Sequence, residues 1–274
     1  MAALDSIIYT ASNATLLPAT PEAGDPVSIR AFSPPFKAHL LTAWMTPSNG
    51  TPVSLVAEIK SPRFHDAVHG IHLQQTLTGI DGLPLIPMHR SPQLLESQDT
   101  PEVDLQGTGG GPIDAILIQN YYEVLNGSDA RFIDEETLNQ RGMGIANTAV
   151  SVVVGTGTGG FEGATPINSG FDILKANKDY ALLGFLCDDG AGSGFNALAV
   201  SLRSSDTGQL RVATPGTFKF PEMTSRHFVR LTRAFNIPLI PVFNASNKGS
   251  MIVEVASPDG AATYTVTAIM QELS

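Results

Sequence analysis

The chain has one cysteine, few charges and no long apolar run. Cys187 is the only cysteine among 274 residues, which excludes a framework of intrachain disulfides. No segment reaches the roughly 18 apolar residues of a membrane-spanning helix. The first residues, Met1 to Ile8, lack the basic and long apolar regions of a signal peptide. We therefore expect neither a transmembrane segment nor a targeting segment.

Charged residues make up 15% of the chain, and the formal net charge is −10. Soluble domains usually contain roughly 25% charged residues, so the shortage is typical of a protein that covers part of its surface with neighbouring subunits. A polar, uncharged surface of Ser, Thr, Asn and Gly is the alternative explanation. The acidic balance argues against sequence-independent binding to nucleic acid, which depends on Lys and Arg facing phosphates. We expect no sequence-specific nucleic-acid binding either.

The pattern that is present consists of short β-branched and aromatic runs between turn residues. The run Thr263–Thr267 alternates polar and apolar side chains, as a half-buried strand does. Pairs such as Asn49-Gly50 suit tight hairpin turns. Short helices are predicted over 133–141 and 171–176, and His227–Thr232 is predicted to be a strand that carries arginines. The sequence thus predicts an all-β fold with few short helices.

The second half of the chain contains a faint copy of a segment in the first half. Leu40–Met45 and Val53–Lys60, joined by a polar turn, correspond to Leu182–Cys187 and Asn196–Arg203, joined by a glycine-rich turn. The shift between the later runs is 143 residues, close to half of the chain. Three pairs of apolar positions are predicted to be buried in matching places: Trp44/Phe185, Leu55/Leu198 and Ile59/Leu202.

A repeat of this length predicts two similar domains rather than a solenoid. We expect an extended N-terminal arm over residues 1–25, a first jelly-roll-like β-domain over 26–160 and a second over 161–274. The glycine-rich stretch 155–163 lies at the expected boundary, as a linker or a long hairpin loop. The arm has few periodic apolar residues, so we expect it to contribute to assembly rather than to the core.

Three histidines and one aspartate lie close together between residues 64 and 72. Imidazole and carboxylate groups bind Zn, Fe or Mn, which makes His65, His69, His72 and Asp66 weak candidates for metal ligands. The His-x-His pair of cupin-type double-barrel enzymes is absent, and the second half has no matching cluster. Solvent-facing histidines at a strand edge are the simpler interpretation. We predict no catalytic residue, no metal, no cofactor and no enzymatic activity.

Two consecutive β-rich domains, low charge and the absence of a catalytic motif resemble one family, the double jelly-roll major capsid proteins of tailless icosahedral bacteriophages. The resemblance rests on architecture and on the repeated units Leu40–Lys60 and Leu182–Arg203. It implies a structural virion protein that self-assembles as a homotrimer into pseudo-hexagonal capsomers. It also implies assembly in the host cytoplasm, with copies of itself and other virion proteins as partners.

Two further hypotheses come from other classes of protein. A carbohydrate- or receptor-binding β-sandwich, such as a phage spike or a lectin-like module, would use Trp44, Tyr121 and Tyr122 to stack on sugars. A metal-dependent enzyme would use the histidine cluster between His65 and His72.

Overall fold

The computed structural model describes residues 2–12, 15–21, 36–47, 53–62, 64, 66–77, 93–95, 101–107, 113–124, 131–188, 197–216, 224–258 and 261–274. In these parts of the chain, antiparallel strands form four sheets, and the helices are few and short. The predicted all-β class is therefore confirmed. Within the described residues, no helix has the length and apolar character needed to cross a membrane.

The first half of the chain forms two sheets. Its strands are β1 (Ala2–Ala11), β2 (Leu17–Pro18), β3 (Thr20–Pro21), β4 (Phe36–Pro47), β5 (Val53–Lys60), β6 (Ile71–Leu77), β7 (Gln93–Leu95), β8 (Glu102–Gly107) and β9 (Asp114–Val124). One sheet has the order β3-β1-β9-β4-β7, and the other has the order β2-β8-β5-β6.

The second half also forms two sheets. Its strands are β10 (Phe132–Ile133), β11 (Gly142–Val153), β12 (Phe161–Pro166), β13 (Asp179–Asp188), β14 (Ala199–Arg203), β15 (Val212–Pro215), β16 (Ile240–Asn244), β17 (Ile252–Ala256) and β18 (Thr263–Leu273). The sheet orders are β10-β16-β13-β18-β11 and β12-β17-β14-β15. Helix α1 (Glu135–Arg141) precedes β11, and helix α2 (His227–Phe235) lies between β15 and β16.

Both halves have the strand order of a jelly roll. Without the short additional strands β3 and β10, the described residues of each half form eight strands, which we letter B to I in chain order. Each half then contains one sheet with the order B-I-D-G and one with the order C-H-E-F. This is the two-sheet, eight-stranded arrangement of a jelly roll. The chain therefore folds as two consecutive jelly rolls, called jelly roll 1 and jelly roll 2 below.

The two D strands carry the same irregularity. Against its I strand, β4 has a register shift at Leu41, and β13 has one at Leu183. A β-bulge marks a fixed place in a strand, so the two bulges align the D strands residue by residue. This alignment places Ala43 with Phe185, so the predicted pairing of Trp44 with Phe185 is wrong by one residue. The repeated segments themselves do occupy equivalent D and E strands.

The predicted burial of the repeated apolar positions is confirmed. These residues are at most 3% exposed: Trp44, Phe185, Leu55, Leu198, Ile59 and Leu202. Two clusters of buried side chains fill the molecule. One lies inside jelly roll 1, and the larger one fills jelly roll 2 and continues onto an outer surface of jelly roll 1.

The expected N-terminal arm is wrong for residues 2–11. They form β1, which pairs with β9 along its whole length, from Ala2 opposite Glu123 to Ala11 opposite Asp114. Residues 4 to 9 are buried, on both faces of the sheet. A strand that is buried on both sides has no clear alternation of polar and apolar residues. The sequence pattern therefore did not predict β1. Residues 22–25 of the expected arm lie outside the described residues.

The expected domain boundary near residue 160 is also wrong. The last strand of jelly roll 1 ends at Val124, and the first element of jelly roll 2 begins at Phe132. The glycine-rich residues 154–160 connect β11 to β12, which are strands B and C of jelly roll 2. This loop joins two different sheets, so it is neither an inter-domain linker nor a hairpin loop. All of these connections are rich in small turn residues, so composition did not distinguish between them.

The helix predictions gave mixed results. The helix expected over 133–141 is α1, and the Asp134 side chain caps it by accepting a hydrogen bond from the Thr137 N–H at 2.7 Å. The helix expected over 171–176 is absent, and a short 3-10 helix forms at Ile167–Ser169 instead. The strand expected at His227–Thr232 is wrong, since these residues begin α2.

Candidate functional site

The two described histidines of the predicted cluster contact different carboxylates. His69 Nδ1 lies 3.0 Å from Asp66 Oδ2, whereas His72 Nδ1 lies 3.5 Å from Glu58 on the neighbouring strand. Asp66 also accepts hydrogen bonds from the backbone N–H groups of His69 and Val68, and its bond to the His69 backbone is the main reason why its pKa is lowered. The side chain of Asp66 thus organises a turn before β6.

His65 lies outside the described residues. In the part of the chain that the structure describes, no three His, Cys, Asp or Glu side chains are grouped as a metal site would require. The metal-ligand candidates therefore stay a prediction without a described ligand set.

The aromatic residues proposed for sugar stacking are buried. Trp44 is 3% exposed, Tyr121 9% and Tyr122 0%. Trp44 packs against the His227 ring with a centroid distance of 5.2 Å, and Tyr121 stacks on His39 at 6.0 Å. A sugar needs an exposed ring face, so these residues give no support to a carbohydrate-binding site.

The two jelly rolls make a buried contact with each other. It is formed by the outer side of the B-I-D-G sheet of jelly roll 1, which we call the buried face. Its side chains come from alternate positions of β1 and β9 and from β4: Leu4, Ser6, Ile8, Trp44, Ala115, Leu117, Gln119 and Tyr121. The apolar members join the hydrophobic cluster of jelly roll 2.

Polar groups at the centre of the buried face bind an edge strand of jelly roll 2. The Ala213 N–H of β15 donates to Ser6 Oγ at 3.2 Å, and Gln119 Nε2 donates to the Ala213 carbonyl at 2.8 Å. Gln119 Oε1 then lies 3.2 Å from His227 Nε2 at the start of α2. Because the amide oxygen of Gln119 accepts, His227 must carry its proton on Nε2. The polar groups therefore fix the register between the jelly rolls.

Burial holds His227 in its neutral form. The side chain is 3% exposed, and its surroundings lower its pKa from 6.5 to about 3. Loss of water contributes most to this shift, and the positive charge of Arg230 adds to it. A neutral donor at this point suits the contact, because a buried imidazolium would lack a compensating anion.

A second polar contact lies beside the first. The buried carboxylate of Asp5 accepts a hydrogen bond from the backbone N–H of Arg211 at 3.1 Å. The Arg211 side chain turns the other way, to Glu254 Oε2 at 3.0 Å, and its guanidinium lies 5.1 Å from the centre of the Phe161 ring. The segment that precedes β15 is thus tied to both jelly rolls.

The two E strands carry equivalent ion pairs to their H strands. In jelly roll 1, Lys60 Nζ lies 2.5 Å from Asp104 Oδ2, and in jelly roll 2 Arg203 Nε lies 3.2 Å from Glu254 Oε2. In each jelly roll, the basic residue lies directly opposite one residue of the H strand. Its acidic partner lies two residues further along that strand. Arg211 makes the second pair a triad. The predicted correspondence of Lys60 with Arg203 therefore extends to their partners.

Among the described residues, none covers the corresponding surface of jelly roll 2 on its B and I strands as jelly roll 2 covers that of jelly roll 1. We call this surface of jelly roll 2 the open face. Its side chains alternate with the buried ones along β11 and β18: Ile145, Asn147, Ala149, Ser151, Val153, Thr263, Thr265, Thr267, Ile269 and Gln271. These ten side chains include no charge.

Strand D of jelly roll 2 is covered by its own chain. The segment before α2 passes so close to Gly184 that a Cβ there would lie 1.9 Å from the Thr224 carbonyl oxygen. Only glycine permits this approach. Helix α2 then packs on β13 and β16, which leaves the two outermost long strands as the open face.

A cleft of about 650 Å³ lies beside the contact between the jelly rolls. It is lined by three residues from jelly roll 1 and five from jelly roll 2: Thr10, Thr20, Pro21, Thr156, Thr158, Gly160, Phe161 and Glu162. Burial raises the pKa of Glu162, but hydrogen bonds from the backbone and hydroxyl groups of Thr156 and Thr158 outweigh it and lower that pKa to about 2. The carboxylate therefore holds the glycine-rich loop in place.

Two solved structures that match this chain are distant likenesses. No protein-family model matches the chain, and no curated protein matches it. A chain in the atomic structure of Sulfolobus Turreted Icosahedral Virus aligns with 98% of this chain and 90% of its own length, at 9% identity and a TM-score of 0.24. The PBSX exported protein XepA aligns with 98% of this chain and 86% of its own, at 10% identity and a TM-score of 0.21. Scores this low carry no weight, so the jelly-roll assignment rests on strand order.

Proposed function

We propose that the chain is a structural virion protein, the major capsid protein of an icosahedral bacteriophage shell, and that it works as a homotrimer. Three copies contribute six jelly rolls, which form a pseudo-hexagonal capsomer. The role is structural rather than enzymatic. The partners are copies of itself and other virion proteins, and the protein assembles in the host cytoplasm before residing in the virion.

The observation that carries the proposal is the packing of two jelly rolls with the same strand order. The buried face of one contacts the β15 edge of the other, so two different surfaces meet. A contact between unlike surfaces repeats into a ring when its rotation closes. A chain that already contains two such units needs few copies to complete a ring.

Composition and surface chemistry support the same function. Only 15% of the residues are charged, and the open face carries no charge over two long strands. A neighbour that covers a sheet surface of Thr, Ser, Asn, Val and Ile buries no charge, and the hydroxyl and amide groups are stabilised there when the neighbour hydrogen-bonds to them. Such a surface is suited to contact between subunits.

Purified full-length protein tests this proposal. Sedimentation is expected to show a trimer or a larger assembly, and negative-stain microscopy is expected to show particles with a hexagonal outline. A protein that stays monomeric over a wide range of concentration and salt would overturn the proposal.

A further inference from the structure

The contact inside the chain is a template for contacts between chains. On the buried face, Ser6 and Gln119 hold the backbone N–H and carbonyl of Ala213. Ala213 lies in β15, at the end of its described sheet, and pairs on its other side with Ser201 of β14. In this template contact, the face of a B-I-D-G sheet therefore binds the edge of an F strand.

Jelly roll 1 presents an equivalent F strand. Strand β6 ends the described sheet β2-β8-β5-β6, as β15 ends its own. Ile71 of β6 pairs with Ile59, and Val212 of β15 pairs with the equivalent residue Leu202. His72, the next residue of β6, is therefore the structural equivalent of Ala213 in β15. His72 is exposed within the chain.

Jelly roll 2 presents the equivalent face. Ser6 lies opposite Gln119 in jelly roll 1, and Asn147 lies opposite Ile269 in jelly roll 2. Gln119 and Ile269 each pair with the residue that follows the bulge in strand D. Asn147 on the open face therefore stands where Ser6 stands on the buried face. An asparagine side chain both donates and accepts hydrogen bonds, as binding a backbone N–H and carbonyl requires.

Exposed apolar side chains gather at these two surfaces. Among the described residues, seven large apolar side chains are exposed, and five of them lie in β11 or in the segment 171–173: Met143, Ile145, Val153, Phe171 and Ile173. Phe171 forms a bridge with Ala149 of β11. Val68, 71% exposed, lies in the turn directly before β6. Clustered exposed apolar residues mark surfaces that bind proteins.

We infer that the open face binds the β6 edge of jelly roll 1 in a second copy of the chain, with Asn147 against the backbone of His72. This inference rests on the proposed homotrimer and names its interface. Contacts within and between chains then alternate around the ring. The ring closes at three copies when each contact turns the next jelly roll by about 60°.

Paired cysteines test the pairing. Asn147→Cys and His72→Cys are introduced together into full-length protein that carries Cys187→Ser, and the protein is oxidised mildly. Covalent dimers and trimers are expected on a non-reducing gel for the pair and for neither single variant. Dimers from the Asn147→Cys variant alone would show two open faces in contact, and this would overturn the inference.

A charge placed on the open face tests its burial in the assembly. Asn147→Arg is expected to weaken trimer formation roughly 10- to 100-fold, because the guanidinium would be covered without a partner. Ala164→Arg, on exposed strand β12 of the other sheet, is the matched control and is expected to sediment as the original protein does. Far-ultraviolet circular dichroism shows whether both variants are folded.

The outcomes separate this inference from the function on which it rests. A trimer that resists Asn147→Arg and gives no paired cross-link would overturn the interface and leave the proposed capsid role intact. A monomeric original protein would overturn both.

Discussion

The same sheet has opposite surroundings in the two jelly rolls. Strand order and the bulge in strand D are shared. On the buried face, Leu4 is 0% exposed, whereas Ile145, its counterpart on the open face, is 56% exposed. Leu117 is buried, and its counterpart Thr267 is half-buried. A shared fold therefore did not decide which surface is covered.

The proposed assembly assigns different roles to the two faces. Large apolar side chains on the buried face stabilise the single chain, because jelly roll 2 removes them from water. The open face has more polar side chains that water can reach, and in the proposed capsomer a neighbouring copy covers them. Variants at equivalent positions distinguish these two roles, and they are given below from the largest expected effect to the smallest.

Equivalent truncations in the two faces should have unequal costs. Leu4→Ala is expected to lower the free energy of unfolding by roughly 3–4 kcal/mol, because it leaves a cavity between the jelly rolls. Ile145→Ala is expected to change it by less than about 0.5 kcal/mol in the isolated chain. Denaturant unfolding of both variants measures the difference. Equal losses would mean that the two faces are not distinguished by burial.

The equivalent ion pairs should also differ in strength. Glu254, 4% exposed, faces two arginines, whereas Asp104, 8% exposed, faces Lys60 at 2.5 Å. Glu254→Gln is expected to cost roughly 2–3 kcal/mol, because two guanidinium groups lose their buried anion. Asp104→Asn is expected to cost about 1 kcal/mol, since the lysine amine can reach water. Thermal unfolding of the two variants in parallel tests the ranking, and a larger loss for Asp104→Asn would contradict it.

Acid should loosen the contact between the jelly rolls. In the folded chain the pKa of His227 is lowered to about 3 from its ordinary 6.5. Below about pH 6.5 the unfolded chain therefore binds a proton that the folded chain does not, and stability falls as pH falls until about pH 3. Between about pH 8 and about pH 5 the loss is expected to be roughly 2 kcal/mol.

His227→Gln checks the source of this acid sensitivity. Glutamine keeps a neutral donor for Gln119 and does not titrate, so the slope of stability against pH should become shallower. His69→Gln, which replaces an exposed histidine outside this contact, is the matched control for the loss of a histidine side chain. Urea midpoints measured across this pH range give both slopes, and an unchanged slope in His227→Gln would place the acid sensitivity elsewhere.

The loop between strands B and C gives the smallest expected effect. The sequence of jelly roll 1 between β1 and β2, residues 12–16, contains no carboxylate, whereas in jelly roll 2 Glu162 of β12 holds Thr156 and Thr158 of the loop. Glu162→Gln is expected to cost about 1 kcal/mol near neutral pH, discounted for partial exposure. The pKa of Glu162 is lowered from 4.5 to about 2, so its contribution is complete above about pH 4.5 and is lost as pH falls toward 2.

Thermal unfolding at about pH 7 and about pH 3 checks the loop prediction. Glu136→Gln, an exposed change on α1, serves as control. A Glu162→Gln variant that is as stable as the original protein at neutral pH would show that the threonine hydrogen bonds do not stabilise the fold.

Local patterns in the sequence predicted the elements whose surroundings are simple. The alternating run at Thr263–Thr267 lies in β18, and the acidic residues that precede Arg141 lie in the first turn of α1. The repeated segments became equivalent D and E strands, because both lie in the middle of a sheet and keep the same apolar positions. In contrast, the sequence pattern did not predict α2. Phe228 and Leu231 are of residue types that are common in strands, but in the helix both side chains are buried in the core.

The sequence by itself determined the all-β class, the repeat of half the chain and the apolar positions of the D and E strands. These depend on side-chain alternation and turn residues within a few positions of one another. Only the tertiary structure decided that residues 2–11 form a strand opposite β9, that the glycine-rich loop belongs to jelly roll 2 and that Gln119 meets His227. Each of these depends on pairing between segments about 100 residues apart in the chain, where burial is set by the partner rather than by the neighbouring residues.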